Sequence, residues 1–163
     1  MDNPQQKVFR MLNALHIEYQ VINDQAVFTV QDMVKLNITQ YGDVCKNLFL
    51  RDAKGQRHFL VVLDKDKKAD LKSIQKQLGC TRLSFASEER LFKYLHLQKG
   101  EVTPLGIIND AEAIVEVVLD NDLVGNKKLG FHTNDNTATA WISFDALIKI
   151  IQHNGNTVHF VTI

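Results

Sequence analysis

Three short segments of the sequence carry polar residues of types that could support chemistry on an ester. Lys46 and Asn47 precede an apolar run, Gly100–Pro104 is bounded by glycine and proline, and His132 follows Gly130 and Phe131. A partly buried lysine ammonium is a strong partner for an ester carbonyl or a phosphate. Glycine allows backbone N–H groups to approach a substrate closely, and a neutral histidine can orient a water or hold a hydroxyl.

Each of these residues also has an ordinary structural interpretation. Lys46 can be a strand-end lysine in solvent, Gly100–Pro104 a plain loop, and His132 a histidine satisfied by the backbone. Thr137 and Thr139 can line a small pocket or simply favour a β-strand. Taken singly, each signal favours the structural interpretation. Their joint occurrence, in this order along the chain, carries the functional hypothesis.

Several other chemistries lack their sequence motifs. The chain contains no GxSxG, HExxH, GxxxxGK[ST] or GxGxxG pattern. Its two cysteines, Cys45 and Cys80, lack CxxC spacing, and no His/Cys cluster indicates a zinc site. We therefore expect no metal and no cofactor.

The composition predicts one soluble domain. The chain has 163 residues, of which 45% are hydrophobic and 23% charged, and its 19 basic residues balance 19 acidic ones. A neutral chain does not coat nucleic acid non-specifically, although a local basic face remains possible. Such a face could use Lys65, Lys67, Lys68, Lys72 and Lys76, or the pair Lys127 and Lys128. The start of the chain is not typical of a signal peptide and no apolar run is long enough for a membrane, so we expect a cytoplasmic protein.

Hydrophobic periodicity and capping residues predict the elements that position these side chains. Helices are predicted at 4–15, 29–35, 71–78, 87–96 and 143–153. Strands are predicted at 18–22, 46–52, 57–63, 82–86, 114–119, 130–133, 139–142 and 157–163. Strands and helices do not strictly alternate, so we expect a single α/β domain over residues 1–163. Its sheet should be mixed, mostly antiparallel and flanked by helices.

The motifs together resemble the YbaK family of aminoacyl-tRNA deacylases, which is related to the editing domain of bacterial prolyl-tRNA synthetases. The resemblance spans most of the chain and rests on AVFTV at 26–30, CKNLFL at 45–50, GEVTPLG at 100–106 and LGFHTNDNTAT at 129–139. It implies hydrolysis of the ester between an amino acid and the terminal adenosine of tRNA. The residues that it implies for catalysis are Lys46, Asn47, Gly100, Gly130 and His132.

Within the family, the chain is most similar to freestanding proteins that clear alanine from tRNA(Pro). That similarity implies trans-editing at the acceptor end of tRNA(Pro), with prolyl-tRNA synthetase as a further candidate partner and no membrane association. A small substrate pocket is expected from Val30, Met33, Phe49, Thr103, Pro104, Thr137 and Thr139. Family members often carry proline after the histidine, where this chain has Thr133.

Two alternatives stay open. A deacylase of the same fold could act on another small amino acid, serine or cysteine. A non-catalytic module that binds tRNA or protein would keep the fold and the lysines.

Overall fold

The computed structural model describes residues 3–23, 42–134 and 138–163. The predicted helix at 29–35 and the predicted pocket residues Val30, Met33 and Thr137 lie outside this range. The described helices are α1 (Pro4–Ala14), α2 (Leu71–Leu78), α3 (Glu88–Leu95) and α4 (Phe144–Asn154), with short 3-10 helices at Pro104–Asn109 and Asn121–Leu123.

Local sequence explains where the helices begin and end. The side chains of Asp70, Ser87 and Ser143 accept hydrogen bonds from backbone N–H groups in the first turns of α2, α3 and α4. These caps satisfy amides that have no partner within a helix. Helix α2 ends at Gly79 in the left-handed conformation (φ 66°), which glycine adopts without steric cost.

The described strands form one mixed sheet. They are β1 (Gln20–Asn23), β2 (Asp43–Arg51), β3 (His58–Asp64), β4 (Ser84–Phe85), β5 (Glu116–Asp120), β6 (Leu129–His132), β7 (Ala138–Ile142) and β8 (Val158–Val161). The order is β1-β7-β6-β2-β3-β5-β8, and β4 pairs with β2. The pairs β2–β6, β3–β5 and β5–β8 are parallel and the others antiparallel, as expected for the α/β class.

The two faces of the sheet bury separate cores. Along β2, Cys45 and Phe49 belong to a large cluster that includes residues of α1, α3 and α4. Leu50 belongs to a smaller cluster with Ile74 of α2. Because successive side chains of a strand point to opposite faces, the sheet separates these clusters. We call them the large-core face and the small-core face.

Two predicted boundaries next to the candidate site differ from the structure. Strand β2 begins at Asp43, three residues before Lys46, because Asp43 and Val44 pair with β6. Lys46 therefore lies inside the strand and does not open it. The predicted loop at Gly100–Pro104 leads directly into the 3-10 helix Pro104–Asn109, which Pro104 begins and the Thr103 hydroxyl caps.

Candidate active site

Strands β2 and β6 pair in parallel over only two residues. Their partners are Asp43 with Leu129 and Val44 with Gly130. Beyond this point, the loop before the 3-10 helix is hydrogen-bonded to both strands. The Asn47 amide nitrogen donates to the Val102 carbonyl at 3.2 Å, and the Thr103 hydroxyl donates to the His132 carbonyl at 2.8 Å. We call this region, where the loop bridges the middle of β2 and the end of β6 just past their paired residues, the strand fork.

Lys46 lies in β2 at the strand fork. Its side chain is half-buried, and it has no hydrogen bond or ion pair with any residue in the described part of the chain. Strand alternation places Lys46 on the small-core face, together with Val44 and its partner Gly130. A half-buried ammonium without a partner keeps its three donors for a ligand.

His132 and Thr139 lie on the same face as Lys46. They are partners across β6 and β7, and Thr139 is buried. The sheet thus brings Lys46, His132 and Thr139 to one side, although the three are far apart in the sequence.

Asn47 points to the opposite face from Lys46. Its amide nitrogen binds Val102, whereas its amide oxygen is buried and accepts no hydrogen bond from the described residues. Neighbours in a strand cannot share a face, so Asn47 does not stand beside the Lys46 side chain. It holds the bridging loop and offers one free acceptor.

Packing explains why glycine stands at position 130, and backbone conformation explains why it stands at position 100. A Cβ added at Gly130 would lie 2.5 Å from the ring of Trp141, its partner in β7, so glycine is needed there for packing. Gly100 has φ 86°, in the left-handed region that favours glycine. Both glycines therefore shape the backbone on either side of the strand fork.

Thr103, Pro104 and Phe49 are buried on the large-core side of the strand fork. The Phe49 ring lies 5.7 Å from the His58 ring, centroid to centroid, which is within the distance of roughly 4.5–7 Å at which ring pairs contribute to core packing. Beside it, Asn47, Phe49, Gly100 and Val102 border a cavity of about 250 Å³. This cavity and the Lys46 side chain lie on opposite faces of β2.

Sequence reasoning missed two buried polar residues at the end of β6. Thr133 is fully buried and Asn134 is 4% exposed. Neither the Thr133 hydroxyl nor either atom of the Asn134 amide has a hydrogen-bond partner within the described ranges. Asn134 also has φ 63°, which asparagine tolerates better than most residues. The sequence predicted Thr133 as the end of a strand and Asn134 as a turn former, and it did not predict their burial, because burial is not visible in a polar run.

Cys45, the neighbour of Lys46 in β2, is buried and lacks the reactivity of a catalytic nucleophile. Burial, reinforced by the carboxylates of Asp64 and Asp43, raises the pKa of its thiol. Only the thiolate is a good nucleophile, so Cys45 remains an inert core residue.

Among residues 3–23, 42–134 and 138–163, no group of three His, Cys, Asp or Glu side chains could hold a metal ion. None of the described helices has the length and apolar character needed to span a bilayer.

The comparisons with known proteins agree with this architecture. The model of the aminoacyl-tRNA editing domain matches residues 24–150. The chain is 51% identical over 152 residues to the prolyl-tRNA editing protein ProX of Acetoanaerobium sticklandii, covering 93% of each. It is 35% identical to prolyl-tRNA synthetase associated domain-containing protein 1 of Danio rerio, covering 90% of this chain and 80% of the relative.

Solved structures share the fold at lower identity. The crystal structure of a candidate trans-editing enzyme for prolyl tRNA synthetase superposes with a TM-score of 0.75 at 18% identity, covering 100% of this chain and 99% of the other. The hypothetical protein APE2540 gives 0.75 at 20% identity, covering 95% and 98%. With its mixed sheet, its strand fork and a family match over most of its length, the chain belongs to the aminoacyl-tRNA editing domain family.

Proposed function

We propose that this protein is a trans-editing hydrolase that removes alanine from mischarged tRNA(Pro). The family supports the reaction class, and the 51% identical relative carries prolyl-tRNA editing in its name. The structural observation that carries the proposal is Lys46, a half-buried lysine with no partner among the described residues, two residues past the point where β2 and β6 stop pairing. An ammonium in this position has its donors available for a polar or anionic group of a ligand.

Lys46 acts as an electrostatic anchor for the end of the tRNA. Its ammonium binds the terminal phosphate or ribose and adds positive potential where negative charge develops. A water adds to the ester carbonyl carbon, and the ribose oxygen then leaves and takes up a proton. The products are free alanine and tRNA with its terminal hydroxyl restored. Lys46 forms no covalent bond in this scheme.

The other residues of the strand fork orient the reacting groups. Backbone N–H groups of the Gly100–Pro104 loop polarise the carbonyl, and Asn47 fixes that loop through Val102. His132, on the Lys46 face, orients the terminal ribose.

Selectivity comes from exclusion by size. A small pocket on the Lys46 face, with Thr139 in its wall, admits alanine and overlaps with the ring of proline. Steric rejection can exceed the roughly 1–3 kcal/mol that one methylene contributes through affinity. Correctly charged tRNA(Pro) is thereby protected.

We place the protein in the cytoplasm, where it meets charged tRNA, either alone or on prolyl-tRNA synthetase.

A deacylation panel tests the proposal. Purified protein is incubated with Ala-tRNA(Pro), Ser-tRNA(Ser), Cys-tRNA(Cys) and Pro-tRNA(Pro), and release of the amino acid is followed over time. We expect rapid hydrolysis of Ala-tRNA(Pro) and protection of Pro-tRNA(Pro), with no change on adding a chelator. Preference for a serine or cysteine ester would reassign the substrate. Hydrolysis of none of them, with tRNA still bound, would establish a non-catalytic binding module.

A further inference from the structure

A polar groove of about 570 Å³ lies at the end of the sheet where β6 begins, β7 ends and β1 begins. The strand fork lies at the other end of β6, so this groove is a separate feature on the same strands. It is open to solvent along the segment from His16 to Gln20 and along Lys127 and Lys128. No role proposed above uses these residues.

Basic side chains outnumber acidic ones around the groove. Lys127, Lys128, Lys149 and His16 face it, against Glu18 and Asp145. Lys127 and Lys128 are exposed and form no ion pair with any residue in the described ranges. The Lys149 ammonium donates to the Leu15 carbonyl at 2.6 Å, which fixes it at the edge and leaves it two further donors. In a chain of zero net charge, this local excess points to an anionic ligand.

The other lysine-rich surface of the chain is less suited to such a ligand. Lys65 is paired with Asp66 at 2.7 Å, and Lys67 with Asp120 at 2.6 Å. Helix α2, which follows these residues, is hydrogen-bonded to the chain end after β8 through Gln77 and Thr162. Strand β8 is the edge of the sheet farthest from β1. These lysines are thus partly neutralised and remote from the groove.

The groove lies within reach of the strand fork. The Lys128 carbonyl accepts a hydrogen bond from the Asp43 amide at 3.0 Å. Lys46 follows Asp43 by three residues of β2, which is roughly 10 Å at the usual rise per residue. A stacked nucleic-acid strand carries one phosphate per 3.4 Å of rise, so this spacing corresponds to roughly three nucleotides.

We propose that the groove bordered by Lys127, Lys128 and Lys149 binds the phosphate backbone of the tRNA acceptor arm. This inference rests on the proposed function, because the terminal adenosine must lie at Lys46 for the spacing to apply. Phosphate contacts fix the register of a nucleic acid while reading little sequence. The groove would therefore position the acceptor arm, and the pocket at the strand fork would select the amino acid.

The double variant Lys127→Glu/Lys128→Glu tests the groove. For Ala-tRNA(Pro) we expect KM to rise by at least roughly tenfold, with kcat changed by less than about twofold. The slope of log kcat/KM against log salt concentration should become shallower by roughly one for each lysine that contacts a phosphate. Alanyl-adenosine has no phosphates, so its hydrolysis should be unchanged. That substrate also reports on correct folding.

The matched control is Lys68→Glu/Lys72→Glu, which reverses two exposed lysines on the α2 side. We expect it to behave as the wild type in every assay. Affinity for uncharged tRNA(Pro), measured in parallel, should fall only in the groove variant, and this measurement needs no hydrolysis. Equal effects of both variants on tRNA affinity, or no effect of either, would refute the proposal that the groove binds the acceptor arm. A wild type that binds tRNA without hydrolysing Ala-tRNA(Pro) would instead refute the proposed function.

Discussion

Two half-buried lysines of this protein have opposite surroundings. The Lys67 ammonium donates to Asp120 at 2.6 Å, to Asp122 and to the Ile163 carbonyl at 3.1 Å. These hydrogen bonds to Asp120 and Asp122 raise the pKa of Lys67. Lys46 has no such partner within the described ranges. Lys67 is a structural cation, whereas the ammonium of Lys46 keeps its donors unused by the described residues.

Buried polar groups show the same contrast between paired and unpaired atoms in two regions of the protein. The Asp110 carboxylate accepts from the Val115 amide at 2.8 Å and from the Asn156 side chain at 3.0 Å. At the strand fork, Asn47, Thr133 and Asn134 retain buried polar atoms without partners in the described part of the chain. Leaving such an atom unpaired costs about 1–3 kcal/mol. Several such atoms in one region lower the stability of the ligand-free protein, which is the cost expected of a binding site.

Replacing Lys46 should produce the largest effect. Loss of one electrostatic stabiliser of the developing charge typically lowers kcat by about 10²–10³-fold. We expect Lys46→Ala to lose deacylation of Ala-tRNA(Pro) by that factor while its melting temperature stays within about 2 °C, since no described hydrogen bond or ion pair is lost. Single-turnover hydrolysis and calorimetry measure the two quantities. Full residual activity would show that Lys46 does not anchor the substrate.

Replacing Lys67 should give the reverse result. Lys67→Ala leaves Asp120, which is 1% exposed, without its cation. Removing one partner of a buried ion pair costs about 3–5 kcal/mol, and Lys67 is partly exposed, so we expect about 3 kcal/mol less stability in urea unfolding. Deacylation per folded molecule should match the wild type. A Lys67 variant with normal stability and impaired hydrolysis would break the comparison between the two lysines.

Part of this organisation could be predicted from the sequence. The caps at Asp70, Ser87 and Ser143 act on the next few residues, so helices α2, α3 and α4 followed directly from local chemistry. The strands predicted at 46–52 and 57–63 were confirmed as β2 and β3 for the same reason, since they form an antiparallel pair joined by a short turn.

The strand fork could not be predicted, because it depends on contacts between distant segments. The start of β2 is set by pairing with β6, which the periodicity of β2 does not encode. Adjacency in the sequence suggested that Lys46 and Asn47 act side by side, but the extension of β2 on both sides of them places them on opposite faces. Gly130 resembled a substrate-contacting glycine, and only its pairing with Trp141 reveals the packing requirement.

His58 offers a test through pH. It is fully buried, and its Nε2 lies 3.1 Å from the Arg90 guanidinium. Burial, followed by the charge of Arg90, lowers the pKa of His58 to about 4. The unfolded chain takes up this proton near pH 6.5, so the stabilisation is complete above pH 6.5 and is lost as pH falls towards 4.

We therefore expect stability to fall by up to about 3 kcal/mol between pH 6.5 and 4 from this residue alone. His58→Gln, which keeps an acceptor for Arg90, should remove that part of the slope in urea titrations at several pH values. Its deacylation at pH 7.5 should be unchanged. The Nδ1 atom of His58 is also buried without a described partner, so a loss of activity would show that it serves the ligand after all.

The smallest effects should come from a matched pair of threonines at the strand fork. Both are fully buried, but the Thr103 hydroxyl donates to His132 and accepts from the Leu105 amide, whereas the Thr133 hydroxyl has no partner among the described residues. Valine has nearly the same shape as threonine and lacks the hydroxyl. Thr103→Val should lower the free energy of unfolding by about 1–2 kcal/mol, because it removes two hydrogen bonds. Thr133→Val should raise it by up to about 1 kcal/mol, because it removes a buried group that is unsatisfied without ligand.

Opposite signs in ligand-free protein would establish that the strand fork holds paired groups for structure and unpaired ones for substrate. Destabilisation by both substitutions would mean that Thr133 is already paired in the folded protein, and the distinction would then rest on Asn47 and Asn134.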